Sequence, residues 1–408
     1  MSSFSTSAAL KIEVMCEGLR YSDALGAAAA HSLPNYYPYK FRAGERDPTG
    51  KGSAAIPYLM NLPDGTMMRV LGNADSPWHA EGSLDAGYRL VDDRSGREFT
   101  IEFEPQRPWM QAQTRDGMPY ARTGVSTHVD MLVINVAPGC EFFLHKHDGT
   151  SMRCSFCAYG APDQRVAHLG QVTGQVAIPE RTLERMNEAK DAVIAEGTVR
   201  HLYLVGGSLT DPRQEGERFL QLARNVRAHN PQRIPTSLGS GALPDDMIEE
   251  FHRERLVDFV CFNLEIWSEP LFAKVCPGKN RYVGYQRWIA ALEKAASLWG
   301  PGRVYSAMVA GIELEPEHGL SADEAATLAL EGADELLSRG VIPIYSLLWP
   351  TGGRERKDYH LRLRQYFETL NSGYQQLRRK YGLRVADEFM CHRCAYMQLE
   401  CDLDRETT

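Results

Sequence analysis

The sequence predicts an α/β protein built around a partial TIM barrel, (β/α)6, with an N-terminal β-rich domain and a short C-terminal metal-binding tail. Three observations support this prediction: buried strands alternate with amphipathic helices in the middle of the chain, turn-rich sequence fills the first third, and cysteines cluster at two places. At about 150 residues per domain, 408 residues suffice for two or three domains. We expect an N-terminal domain over 1–127, a barrel over 128–355, and a helix and cysteine-rich tail over 356–408.

Composition excludes several classes of protein. The chain is 43% hydrophobic and 24% charged, which is ordinary for a globular fold. Its net charge of -8 argues against a protein that coats duplex nucleic acid, because phosphate binding requires a basic face. No apolar stretch approaches the ~20 residues that span a bilayer, and no signal peptide is recognisable, so we expect no membrane partner and a cytoplasmic location.

The first third of the chain predicts β-structure. Glycine, proline and short polar turns separate brief alternating runs at 88–91 and 99–103. Turns between alternating runs are typical of antiparallel strands. A helix within 18–30 is the one addition that we expect here.

From residue 131 onward, six strand–helix units follow one another. The predicted strands are 131–137, 201–205, 234–238, 259–266, 304–312 and 341–348, and the predicted helices are 179–196, 213–228, 244–255, 283–298, 321–339 and 358–380. Parallel neighbours need helical crossovers, so this series predicts a parallel sheet. A cysteine loop, rather than a glycine-rich phosphate loop, follows the first strand. Barrel enzymes place their chemistry in such loops, which favours a barrel over an open sheet.

Nine cysteines, an odd and unevenly clustered set, suit a reducing compartment and metal or cluster ligation. Cys140, Cys154 and Cys157 share the first loop, where three thiolates can hold three irons of a four-iron cluster and leave the fourth iron open. Zinc bound by Cys154 and Cys157 with His145 and His147 is an equally good interpretation of the spacing alone.

The second group, Cys391, Cys394 and Cys401, lies in the tail and could hold an iron–sulfur cluster or a small zinc site. The isolated residues Cys16, Cys261 and Cys276 are expected to be buried as small apolar side chains. Cys276 is also one of the residues that could supply a fourth ligand to the tail group.

The first cysteine loop, which ends Cys154-Ser-Phe-Cys157, resembles that of the radical S-adenosylmethionine (SAM) superfamily. Four later segments resemble motifs of its biotin-synthase-like members, in the same order: Leu204-Val-Gly-Gly-Ser208, Phe262-Asn-Leu-Glu-Ile266, Val309-Ala-Gly-Ile-Glu313 and Val341-Ile-Pro-Ile-Tyr345. The resemblance covers about residues 128–355. One departure concerns Cys140, because thirteen residues separate it from Cys154, whereas the family usually has three.

This resemblance implies a 4Fe-4S cluster with three cysteine ligands, Cys140, Cys154 and Cys157, and S-adenosyl-L-methionine bound at the open iron. The cofactor-binding residues that it implies are Gly206, Gly207, Ser208, Asn263, Glu265, Gly311 and Phe156. Glycines suit such a site because a backbone approaches a ligand closely only where no side chain intervenes. Asn263 and Glu265 alternate with apolar neighbours and should face the same side of their strand. Ser208 could instead cap a helix.

In the family, reductive cleavage of SAM yields a 5′-deoxyadenosyl radical that abstracts hydrogen from an unactivated carbon. The resemblance therefore implies a small-molecule or peptide substrate, a reductase or flavodoxin-type electron donor and, in the tail, a possible second Fe-S cluster. The alternatives are a zinc-stabilised barrel that acts as a binding or scaffold protein, and a thiol oxidoreductase that uses one Cys-x-x-Cys pair.

Overall fold

The computed structural model describes residues 4–35, 37–135, 139–157, 176–348, 357–386, 388 and 397–405. In the first third of the chain, the strands are β1 (Tyr39–Lys40), β2 (Ser53–Ala54), β3 (Leu59–Asn61), β4 (Met67–Arg69), β5 (Trp78–Ser83), β6 (Gly87–Asp92) and β7 (Glu98–Phe103). Five of them form an antiparallel sheet in the order β4-β3-β7-β6-β5. Buried and solvent-facing residues alternate along β6 and β7, as expected for a sheet with one face on the core. The predicted β-rich character of this part is confirmed.

Two helices precede this sheet, α1 (Thr6–Glu17) and α2 (Asp23–Ala28). Each begins after a serine, Ser5 or Ser22, whose side chain accepts a backbone N–H of the first turn. Helix α2 lies within the predicted helical stretch, but α1 was missed. Its apolar residues are buried together with the charged Lys11 and Glu13, so α1 has no polar stripe to mark it as an amphipathic helix.

The barrel region contains the strands β8 (Val125–His128), β9 (Met131–Ile134), β10 (Lys146–His147), β11 (Thr150–Ser151), β12 (His201–Val205), β13 (Thr236–Ser240), β14 (Phe259–Phe262), β15 (Val304–Ala310) and β16 (Val341–Leu347). One seven-stranded sheet has the order β16-β15-β14-β13-β12-β9-β8. All its neighbours are parallel except β8, which forms an antiparallel hairpin with β9 at one edge. The six parallel strands follow in chain order, which confirms the (β/α)6 arrangement.

The helices that connect and follow these strands are α3 (Glu141–Leu144), α4 (Glu180–Ala195), α5 (Pro212–Ala228), α6 (Asp245–Arg253), α7 (Glu269–Val275), α8 (Pro277–Tyr282), α9 (Tyr285–Trp299), α10 (Ala322–Ser338), α11 (Lys357–Tyr381) and α12 (Glu400–Arg405). The largest differences from the prediction concern β9 and β14, which are shorter than predicted. Strand β14 ends at Phe262, although Glu265 still pairs with Met308 of β15 through an isolated parallel bridge. Helices α7 and α8 fill the connection that follows.

The outer edge of β16 is covered by the described end of the tail. The Leu347 amide donates to the Met397 carbonyl at 3.0 Å, and the Tyr345 amide donates to the Glu400 carboxylate at 2.7 Å. Lys11 of α1 forms a buried ion pair with Asp402 of α12 at 2.5 Å. These contacts satisfy backbone groups that an open edge strand would leave exposed, and they tie both ends of the chain to the barrel.

A search of the described helices for a candidate membrane span, long and apolar enough to cross a bilayer, finds none.

Candidate metal and cofactor site

The site lies at the carboxyl ends of the parallel strands, where the loops after β9, β12, β14 and β15 meet. Parallel strands all end at one face of a barrel, so loops distant in sequence converge there. The first two loops are in direct contact, because the Glu141 amide donates to the Ser208 carbonyl at 2.9 Å. Cys140, which begins α3, is thereby placed beside Gly207.

Gly207 permits this close approach. A Cβ there would lie 2.1 Å from the Gly139 carbonyl oxygen and 2.6 Å from the Cys140 nitrogen, so any side chain would push the two loops apart. The Cys140 thiol accepts backbone N–H groups of Ser208 and Phe143, but burial outweighs them and raises its pKa. Gly207 therefore has a structural role at this position, because it lets the segment of Cys140 pack directly against the loop after β12.

Two buried side chains that sequence reasoning missed hold this glycine turn. The Glu215 carboxylate accepts the amides of Leu209 at 2.9 Å and Gly241 at 2.7 Å. Arg218 donates to the Gly207 carbonyl. Both side chains come from α5, on which they are three residues apart and therefore share a face. Ser208 does not cap this helix; Asp211 does, through the Arg213 amide at 2.8 Å.

Cys154 and Cys157 lie at the end of the same cysteine loop. The Cys157 amide donates to the Cys154 carbonyl at 3.1 Å, which makes a tight turn of the Cys-x-x-Cys segment. Cys154 is buried, whereas Cys157 and Phe156 are half-buried. The Cys154 thiol forms a hydrogen bond with the Cys276 thiol, which lowers the pKa of Cys154 against its burial, and the Lys279 ammonium lowers it further. Cys140 is also close enough to Cys154 for the charge of one thiolate to raise the pKa of the other.

The spacing of possible metal ligands in the described residues bears on the choice between zinc and a cluster. In the described part of the chain, the only three His, Cys, Asp or Glu ligand atoms within 4.8 Å of one another belong to Glu315, Glu317 and His318. The sulfurs of Cys154 and Cys157 and the imidazoles of His145 and His147 are not gathered within that range, so the zinc interpretation gains no support from their placement. Ligands of a cluster bind different irons and stand further apart, so wider spacing is compatible with a cluster.

Asn263 and Glu265 follow β14 on the opposite wall. Both are half-buried, while Leu264 and Ile266 between and after them are buried, as the predicted alternation requires. The Asn263 side-chain oxygen accepts the Ala307 amide at 3.3 Å. Glu265 has a φ of 73°, which is uncommon for a residue with a side chain. This local turn lies between two backbone hydrogen bonds to β15, at 3.0 and 2.7 Å.

Lys279 lies between Glu265 and the cysteine loop, and it was not identified from the sequence. Its ammonium lies 2.5 Å from a Glu265 carboxylate oxygen, 2.7 Å from the Asn263 carbonyl oxygen and 4.7 Å from the centre of the Trp288 ring. Burial alone would lower the pKa of Lys279, but Glu265 and the two thiols outweigh it and raise that pKa. A buried cation therefore stands between the Glu265 carboxylate and the cysteine loop. A lysine at the start of a short helix carried no signal that could have singled it out.

Gly311 ends β15 with a φ of 101°. A Cβ there would lie 2.6 Å from a methyl carbon of Leu363, so α11 covers this side of the glycine. The predicted contact of Gly311 with a cofactor stays a prediction. Of the tail cysteines, Cys391 and Cys394 lie outside the described residues. Cys401 lies in α12, but its side chain also falls outside what the structure describes.

Comparisons with known proteins find a family model and a curated relative that match this chain. The family model of the Radical SAM superfamily matches residues 145–320, which include Cys154, Cys157 and the segments after β12, β14 and β15, but not Cys140. A curated relative, the bacteriochlorophyllide c C-7(1)-hydroxylase of Chlorobaculum limnaeum, is 23% identical over 282 residues. That alignment covers 66% of this chain and 63% of the hydroxylase, so the chain matches less than two thirds of the relative's length.

Among solved structures, a radical SAM methyltransferase from Sphaerobacter thermophilus has a TM-score of 0.38 and 17% identity, with 77% of each chain covered. The hydrogenase maturase HydG from Carboxydothermus hydrogenoformans has a TM-score of 0.40 and 14% identity over 62% of this chain and 56% of its own. The sequence match and the six-stranded parallel barrel agree with each other. Residues 145–320 of this chain therefore match the family model of the Radical SAM superfamily.

Proposed function

We propose that this protein is a radical SAM enzyme that abstracts hydrogen from a small-molecule or peptide substrate. The observation that carries the proposal is the convergence of Cys140, half-buried, and Cys154, buried, at the carboxyl ends of parallel strands, in a chain whose residues 145–320 match the Radical SAM family model. A three-thiol set that leaves one iron open fits a 4Fe-4S cluster, and we assign Cys140, Cys154 and Cys157 to it. Cys140 is included because Gly207 seats it within reach of Cys154.

When bound together, the cluster and S-adenosyl-L-methionine supply a 5′-deoxyadenosyl radical. The chain's own residues bind and orient the S-adenosyl-L-methionine ligand. Gly206, Gly207 and Ser208 present backbone groups beside Cys140. The Gly207 and Ser208 carbonyls already accept Arg218 and the Glu141 amide, and each has a second lone pair that can accept a ligand's amino group. Asn263 and Glu265 offer an amide and a carboxylate from one wall, which suits paired hydroxyl groups of a ribose. Lys279 fixes the Glu265 carboxylate in place, so this polar wall is preorganised before the ligand arrives.

Burial of the site also supports radical chemistry. Cys154, Glu215 and Lys279 are buried and Cys140 is half-buried, and a primary radical survives only where water and side reactions are excluded. The net reaction is open among rearrangement, bond formation, methylation and oxidation. Because one relative is named a hydroxylase, oxidation at a carbon is the first outcome to examine.

We further propose that the tail trio Cys391, Cys394 and Cys401 binds an auxiliary Fe-S cluster, that a flavodoxin-type donor supplies electrons and that the protein works in the cytoplasm. The nine cysteines, odd in number and grouped, support a reducing compartment. The alternative is a zinc-stabilised scaffold, and the metal content of the purified protein separates the two.

The decisive experiment is anaerobic purification followed by iron, sulfide and zinc analysis, and incubation with dithionite and S-adenosyl-L-methionine. We expect about four irons and four sulfides per chain, or about eight of each with the auxiliary cluster, together with 5′-deoxyadenosine. Cys154→Ala should abolish 5′-deoxyadenosine, whereas Cys391→Ala should remove about half of an eight-iron content. Zinc without sulfide, and no cleavage, would contradict the proposal.

A further inference from the structure

Cys276 lies directly opposite Cys154, although 122 positions separate them in the sequence. The Ser155 amide donates to the Val275 carbonyl at 2.9 Å, and the Gly278 amide donates to the Met152 carbonyl at 3.1 Å. These two hydrogen bonds pair the cysteine loop with the segment between α7 and α8 in an antiparallel register. In that register, Cys276 faces Cys154.

The close approach of the two segments is specific. A Cβ at Gly278 would lie 2.6 Å from the Met152 carbonyl oxygen and 2.7 Å from the Phe142 ring, so only glycine fits between them. Phe142 itself stacks on Tyr282 of α8 at 5.8 Å between ring centres. The start of α8 is thus packed against the cysteine loop from both sides, and the position of Cys276 is fixed by that packing.

Both cysteines of this opposed pair are buried, Cys276 fully. A cysteine that ligates iron must be a thiolate, so the Cys154 sulfur becomes an acceptor once it holds a cluster, and a thiol opposite it can donate. Cys140, Cys154 and Cys157 already supply three ligands, and a fourth would close the open iron.

We propose that Cys276 is a positioning residue that donates an S–H hydrogen bond to the Cys154 sulfur and raises the reduction potential of the cluster. Hydrogen bonds to cluster sulfurs stabilise the reduced, more negative state and are one of the levers by which a protein sets this potential. The inference rests on the proposed function, because it requires a cluster at Cys154. It assigns a role to a cysteine that the sequence suggests only as a small apolar side chain or as a ligand elsewhere.

The test is a reductive titration of the anaerobically prepared protein, followed by electron paramagnetic resonance, with iron counted in every variant. Cys276→Ala should keep the iron content of the wild type but reduce at a more negative potential. Cys276→Ser, which retains a donor, should lie between the two. Cys276→Val has no donor but fills the space, and it replaces the alanine variant if that protein does not fold. Cys16→Ala removes another fully buried thiol, in α1, and should leave the potential unchanged.

Each other outcome overturns the inference in a recognisable way. Loss of iron in both Cys276→Ala and Cys276→Ser would make Cys276 a ligand. An unchanged potential at unchanged iron content would show that the contact with Cys154 has no electronic effect. A wild-type protein that binds no cluster would overturn the proposed function, and this inference with it.

Discussion

Glu265, half-buried, and Glu313, buried, follow adjacent barrel strands and are stabilised in different ways. The Glu265 carboxylate lies 2.5 Å from the Lys279 ammonium. The Glu313 carboxylate is fully buried and accepts the Gly311 amide at 3.1 Å and the Tyr366 hydroxyl at 3.3 Å. Burial outweighs these neutral donors and raises the pKa of Glu313 to about 7. The comparison shows that neutral donors do not hold the pKa of the buried Glu313 carboxyl at its ordinary value, whereas Glu265 has a cation, Lys279, beside its carboxylate.

The largest effect that we expect comes from removing that cation. Lys279→Met should lower the free energy of unfolding by about 3–5 kcal/mol, because it leaves the Glu265 charge without its partner in a site of low polarity. Urea denaturation at constant pH measures this change. Lys274→Met is the matched control, since Lys274 is an exposed lysine of the neighbouring helix α7, and it should cost below about 0.5 kcal/mol.

The double variant Glu265→Gln/Lys279→Met tests whether the two charges stabilise the fold as a pair. If the pair acts as one unit, removing both charges should cost less than the sum of the two single changes. Additive costs would show that Lys279 is held by the Asn263 carbonyl and the Trp288 ring instead.

Glu313→Gln should change how stability depends on pH. With a pKa of about 7 in the folded protein and about 4.5 when unfolded, Glu313 contributes stability that is complete below pH 4.5 and is lost as the pH rises to 7. The loss amounts to about 3 kcal/mol. The glutamine variant lacks this dependence, so its unfolding free energy should fall less between pH 5 and pH 8.5.

A second buried carboxyl, that of Glu400, limits how far Glu313→Gln can reduce the pH dependence of the unfolding free energy. Burial also raises the pKa of Glu400 to about 7, so part of the pH dependence belongs to the tail contact with Tyr345. The variant and the wild type should therefore differ in slope over pH 5–7 and run parallel above pH 8. Identical profiles would show that Glu313 keeps its usual pKa in the folded protein.

Most of the barrel could be predicted from the sequence, because its strands and helices are local patterns. The strand 201–205 coincides with β12, and the helix predicted at 213–228 differs from α5 by one residue at its start. Helix α1 could not be found in this way, since its buried Lys11 and Glu13 are paired with residues far along the chain, Asp402 and Arg97. A charged residue is read as exposed until its partner is known.

The residues of the site fall into the same two groups: those that a local pattern indicates and those whose role depends on contacts between distant segments. Asn263 and Glu265 could be proposed because they alternate along one segment. Lys279 and Cys276 could not, since their significance lies in contacts with Glu265 and Cys154 on other segments, and these exist only after the barrel closes. The close packing at Gly278 that aligns them leaves no mark in the sequence beyond a glycine.

The smallest expected effect concerns the phenol that contacts Glu313. Tyr366→Phe removes one donor to a buried carboxylate and should cost about 1 kcal/mol near pH 5. The cost should be larger at pH 8.5, because loss of a hydrogen bond to the charged form raises the pKa of Glu313 further. Tyr374→Phe is the matched control: Tyr374 is equally buried in α11, but its hydroxyl donates to the Pro343 carbonyl at 2.6 Å, a partner that does not titrate. If both variants lose the same free energy at both pH values, the Tyr366 hydroxyl does not interact with an ionising carboxylate, and the contrast between the two glutamates rests on burial alone.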